Sequence, residues 1–111
     1  MTIDLPSPPS TNEAYNPFGG RLILAKVGRE YKAMAQGRLL VARWKPFDGD
    51  VVLTIHWRRK IKSGDLSNRI KVLEDSLKGF AWRDDGQVVE LHAYRTDDKA
   101  NPGVTVTVEP L

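Results

Sequence analysis

Apolar residues recur along this chain at two spacings, and the changes of spacing mark its elements. Val51-Val52-Leu53-Thr54-Ile55-His56-Trp57 is β-branched and apolar enough for a strand at the centre of a sheet. Val27, Tyr31, Met34, Ala35 and Leu39 fall at i, i+4, i+7, i+8 and i+12, one stripe of a helix beginning near Ala25. Leu66, Ile70, Leu73 and Leu77 repeat at i, i+4, i+7 and i+11 and predict a second helix, from about Leu66 to Leu77, that Gly79 ends. Thr2 to Leu5 and Arg21 to Leu24 read as short strands. Val88 to Tyr94 and Val104 to Val108 alternate apolar and polar residues, which predicts a hairpin with one face buried, joined across Thr96 to Gly103. The order strand, helix, strand, helix, strand, strand predicts an α+β fold, a small mixed domain with a sheet of about four strands and two helices on one face.

Turn residues punctuate this pattern. Pro6-Ser7-Pro8-Pro9-Ser10 stops the first strand, because proline fixes φ and removes a backbone donor. Turn residues continue through Asn12, Asn16-Pro17 and Gly19-Gly20, with Tyr15 and Phe18 as anchors onto the core. A loop this long is either functional or a surface Ω-loop. Gly28 and Gly37 each weaken the first helix by about 1 kcal/mol relative to alanine. With 111 residues the chain has material for one modest core, so residues 1–111 are read as a single domain.

Composition narrows the chemistry. The chain has no cysteine, which excludes disulfides, thiolate zinc sites and cysteine nucleophiles. Its first residues lack a signal-peptide pattern, and no apolar run reaches membrane-spanning length; a cytoplasmic protein without membrane contact is expected. Charge is segregated. Residues 21–62 hold eleven Lys or Arg against three acids, a net of +8, and residues 63–111 hold six against nine, a net of −3. Arg58, Arg59, Lys60 and Lys62 gather where the central strand ends, immediately before the acidic helix. Such a cluster either holds the phosphates of a nucleic acid or solvates a strand end. Trp57 reads as core rather than as a base-stacking platform, and His56, without a partner at ligand spacing, reads as structural.

The second helix carries a polar stripe beside its apolar one. Asp65, Asn68, Val72 and Asp75 share a flank, with Lys71 at its polar edge. Asp65 is either the helix N-cap or a ligand. Asp84-Asp85-Gly86 is either an ordinary turn or the second half of a cation site. Mg²⁺ needs only one or two carboxylates, with waters and phosphate oxygens completing its shell, so Asp65 with Asp84 or Asp85 could hold it. Lys71 would then face the charge that develops on a reacting phosphorus group. No glycine-rich phosphate loop, paired-histidine zinc motif or serine-nucleophile elbow competes.

Three stretches in order, Leu5-Pro6-Ser7-Pro8-Pro9-Ser10-Thr11-Asn12 with Tyr15, Gly64-Asp65-Leu66-Ser67-Asn68-Arg69-Ile70-Lys71 with Asp75-Ser76-Leu77, and Trp82-Arg83-Asp84-Asp85-Gly86-Gln87-Val88, together with Asn101-Pro102, cover nearly the whole chain. They resemble the RusA-type Holliday junction endodeoxyribonucleases of bacteria and their prophages. The resemblance implies hydrolysis of phosphodiesters at four-way DNA junctions by a homodimer that uses Mg²⁺ or Mn²⁺ and no small-molecule cofactor. It implies Asp65, Lys71 and Asp85 as catalytic residues and Asp65, Asp84 and Asp85 around the metal. Arg58, Arg59, Lys60, Lys62, Asn68 and Arg69 are the expected DNA contacts.

One position departs from the pattern. The family's helix start reads Asp-Leu-Asp-Asn, and this chain has Ser67 at the second aspartate. A hydroxyl is a neutral and weaker ligand, so the expectation divides. Either the chain is a weakened or inactive junction-binding homologue, or Asp84, Asp75 or added water compensates. A small basic RNA-binding protein is the more distant alternative.

Overall fold

The computed structural model describes residues 1–111. Its elements are β1 (Thr2–Leu5), α1 (Thr11–Ala14), β2 (Tyr15–Phe18), β3 (Arg21–Leu24), α2 (Lys26–Val41), β4 (Val51–Arg59), α3 (Ser67–Leu77), a 3₁₀ turn (Asp85–Gln87), β5 (Val88–Asp97) and β6 (Gly103–Pro110). The α+β class and the order of the principal elements are as the sequence predicts. The main sheet runs β1-β6-β4-β5, and β2 and β3 form a separate antiparallel pair.

The expected hairpin of the last two strands is absent. β4 lies between them, with β5 parallel on one side and β6 antiparallel on the other. Two parallel strands need a crossover, and α3 supplies it, so β4-α3-β5 is one such unit. The chain then passes over the end of β4, held by a bond from Asp98 N to Arg59 O (2.8 Å) and by the Arg58 guanidinium on Asn101 O (3.0 Å). Burial explains the outcome: Val104, Val106 and Val108 are fully enclosed, which a position between β1 and β4 provides. β5 can serve as the edge because most of it is exposed and carries Glu90, His92, Arg95 and Asp97.

The odd-numbered residues of β4, from Val51 to Trp57, form one core with Tyr31, Ala35 and Leu39 of α2 and Val72, Leu73 and Leu77 of α3. α3 is rotated from the predicted stripe. Leu66 and Ile70 are only half-buried, while Val72, placed by the sequence on the polar flank, and Ser76 are enclosed. Ser76 tolerates burial because its hydroxyl donates to Val72 O (2.7 Å) within the helix.

The region read as one long loop is ordered. Ser10 and Glu13 form a capping box around the single turn of α1. Gly19 and Gly20, both at positive φ (56° and 79°), make the tight turn between β2 and β3. Gly28 has a packing reason to be glycine: a Cβ there would sit 2.5 Å from Ala14 O. No helix is long and apolar enough to cross a membrane.

Candidate active site

β4 delivers the chain to the start of α3, where Asp65 is exposed. It is not a cap: the N-cap position of α3 is Leu66, which makes no side-chain cap bond, and the Asp65 charge acts instead on nearby Arg59. From there Ser67, Lys71 and Glu74 follow at i, i+4 and i+7 on one face of the helix. With Ile70, Asp75 and Asp85 they line an open hollow of about 390 Å³. Asp85 arrives from the far end of the crossover and is also held by Lys78 Nζ at 3.3 Å.

The two neighbouring aspartates have different duties. Asp84 caps the 3₁₀ turn, its carboxylate accepting from Gly86 N at 3.3 Å, and Gln87 closes the box by accepting from Asp84 N at 2.7 Å. The Gln87 amide also donates to Phe47 O and Gly49 O, which ties the turn to the loop before β4. Asp85 is thereby left facing the hollow. Asp65 does not line it, and nowhere do three His, Asp or Glu side chains converge as a ready-made metal cage.

Sequence reasoning missed Glu74. Its carboxyl is pushed above the usual range by burial first and then by the negative charges of Asp85 and Asp75, with Lys71 acting in the opposite sense. The signal available was its position two turns after Ser67 on the same face.

The opposite flank of α3 is occupied. Arg69 donates to Pro8 O at 2.6 Å and lies 4.8 Å from the Trp57 ring centre. Asn68 accepts from the Thr11 hydroxyl at 3.3 Å. Trp57 is buried, as its sequence position suggested, and donates to the Ser7 hydroxyl at 3.2 Å. Tyr31 donates to Pro6 O at 2.7 Å. The proline-rich stretch is therefore a strap across the base of α3. Gly64 makes room for it: its φ is +98°, and a Cβ would lie 2.9 Å from the Arg69 guanidinium and 3.1 Å from Trp57.

Further along, the Tyr15 hydroxyl donates to Asp75 Oδ2, and the Lys71 ammonium reaches the same oxygen at 3.3 Å. Lys71 Nζ also stands 5.6 Å from the centre of the Tyr15 ring. Burial and the Asp75 carboxylate push the Tyr15 hydroxyl well above its usual range, so it remains a donor.

The basic strand end divides in the same way. Arg59 is buried, bonds Asp97 at 2.6 Å and Gly64 O at 3.2 Å, and holds the Asp97 carboxyl below the usual carboxylate range. Arg58 is spent on Asn101 O and on the Thr105 hydroxyl (2.6 Å). Lys60 and Lys62 are exposed.

Fold and site together are those of a small α+β domain with an open hollow lined by carboxylates, a hydroxyl and a lysine, and with exposed lysines at the end of its central strand. The family model for endodeoxyribonuclease RusA matches residues 6–109, and the chain belongs to that family. It is a family of Holliday junction resolvases, nucleases of recombination that generally depend on a divalent metal. No curated protein matches the chain.

Proposed function

We propose that this chain is a Mg²⁺-dependent endonuclease that nicks four-way DNA junctions as a homodimer, with Asp85 holding the metal in the hollow and Lys71 acting on the scissile phosphate. The observation that carries the reading is that Ser67, Lys71 and Asp85, from the two ends of the β4-α3-β5 crossover, line one open hollow. Hard cations take oxygen ligands, and Mg²⁺ completes its shell with water and phosphate oxygens, so one or two carboxylates suffice; the donor set fits Mg²⁺ and also Mn²⁺. Bound there, the metal supplies a polarised phosphodiester oxygen and a more acidic attacking water.

The residues of the chain do the rest. Lys71 offers a fixed positive charge to the phosphorus group as negative charge builds on it. Lys60 and Lys62 take the flanking phosphates, while Arg58, Arg59, Asn68 and Arg69 act as scaffold because each is already bonded within the chain. Symmetric resolution needs two cuts and one chain has one such carboxylate-and-lysine hollow, so a two-fold pair of chains supplies both.

Ser67 favours a second reading, a homologue that binds junctions and cuts them poorly. Of the acids that could replace the missing aspartate, Asp84 is committed to its turn and Asp75 to Tyr15 and Lys71. Glu74 is the remaining acid on the Ser67 face of the hollow, its carboxyl pushed above the usual range by burial and by the charges of Asp85 and Asp75.

A labelled synthetic junction and a linear duplex, each with and without Mg²⁺, separate the two. Paired nicks in the junction alone are expected for the enzyme, and metal-independent binding without nicks for the second reading. A protein with no junction preference in either assay refutes both. Ser67→Asp should raise the Mg²⁺-dependent rate and tighten the metal's apparent affinity; no change in either measurement removes Ser67 from the site.

A further inference from the structure

Lys71 projects from an exposed helix face, and an i,i+4 pair with Asp75 alone would hold it weakly, since both side chains are partly solvated and flexible. Asp75, however, has a second partner from a different part of the chain. Tyr15 sits where α1 turns into β2. Its backbone N–H bonds Thr11 O, its strand position pairs with Leu24, and its ring packs against the core. From that fixed base its hydroxyl grips the very carboxylate oxygen that Lys71 uses.

We infer that Tyr15 is a positioning residue for Lys71, acting through Asp75 and through the face of its own ring. The hydroxyl removes the rotational freedom of the Asp75 carboxylate. The ring adds a cation–π contact on one side of the ammonium. Lys71 is thus held between two partners on the strap side and keeps its remaining donors toward the hollow, where the other charged groups are Glu74 and Asp85. A lysine so restrained gives up little freedom when a phosphate arrives, which is how orientation contributes to rate.

The inference rests on the proposed role of Lys71 in phosphodiester cleavage, so its test has one arm that needs no cleavage. In the first arm, single-turnover cutting of the junction and junction Kd are measured for Tyr15→Phe, Asp75→Asn and the double variant. Tyr15→Phe keeps the ring and its packing. It is expected to slow cutting about tenfold with Kd within about twofold of the wild type, and the double variant to be no slower than Asp75→Asn alone. Multiplying rate losses would mean that the two residues act separately, and would overturn the inference.

In the second arm the lysine side chains carry ¹³C at Cε, and the Lys71 signal is identified by its loss in Lys71→Arg. Its ε-protons should show the ring-current shift of Tyr15 and move toward the free-lysine position in Asp75→Asn. A Lys71 resonance indifferent to that change overturns the inference whatever the cleavage result. If the wild type fails to cut junctions with Mg²⁺ or Mn²⁺, the resolvase reading falls, and the resonance alone decides whether Lys71 is held as described.

Discussion

The two polar flanks of α3 are similar in composition and opposite in use. Asn68 and Arg69 are taken up by Thr11 and Pro8, and Asp75, at the edge of the hollow, by Tyr15. Ser67, Lys71 and Glu74 face the open hollow with Asp85. Polar residues on a helix are therefore not interchangeable candidates for chemistry. What separates the flanks is a segment more than fifty positions earlier in the sequence, which satisfies one flank and leaves the other for a ligand.

The comparison is broken most directly by exchanging the consequences of the two flanks. Asp85→Asn should reduce junction cutting by a factor on the order of 10² or more, since a neutral amide is a poor ligand for a hard cation. Its thermal midpoint should stay near the wild type, as Asp85 is exposed. Arg69→Ala should do the reverse in stability, costing about 2–3 kcal/mol through loss of the Pro8 bond and of the stacking on Trp57. Single-turnover rates and denaturant melts of both variants check this. If Arg69→Ala melts like the wild type and fails only in DNA binding, Arg69 belongs to the open side.

A smaller effect tests the divided strand end. Replacing Lys60 and Lys62 by alanine should flatten the dependence of log K on log salt by about two units at most, because each phosphate contact contributes roughly 0.9. Melting should be unaffected. Arg59→Ala should instead lower the midpoint, since it leaves the Asp97 carboxylate and Gly64 O without their partner. A salt slope that changes more for Arg59 than for the two lysines would reverse this assignment.

The smallest effect concerns Glu74. Its carboxyl holds a proton more tightly in the folded chain than in the unfolded one. The associated stability is fully present below the unfolded glutamate value and is lost as pH rises through the higher folded value. Glu74→Gln should therefore raise the melting temperature slightly at pH 7.5 and leave it unchanged at pH 3.5. Melts at the two pH values check the sign; a loss of stability at pH 7.5 would contradict the crowding of carboxylates around it.

Local patterns were legible in the sequence, and long-range partners were not. β4, α2 and α3 follow from spacing, because burial on one face imposes a period that any reader can count. Asp65, Lys71 and Asp85 were singled out from residue type and family likeness; the fold brings Lys71 and Asp85 to one hollow, and Asp65 lies outside it. β2 escaped because Asn16-Pro17 reads as a turn, although a two-stranded edge tolerates proline. The places of β5 and β6 escaped because alternation shows that a strand has two faces, not which neighbours it will have. Arg59 and Arg69 looked available for DNA because their partners, Asp97 and Pro8, lie far along the chain. Ile70 and Val72 exchanged roles because a helix can roll by part of a turn and still bury an apolar face.

The crossover from Val51 to Asp97 contains every residue that lines the hollow, yet Tyr15 and Pro8, which fix two of its side chains, lie outside it. In terms of inheritance, the charges form a cassette and their alignment does not. A relative that acquired this crossover without a matching strap would receive the reactive groups in the right order and lose the hold on Lys71 and Arg69. Residues 6–15 and the crossover should therefore change together or not at all.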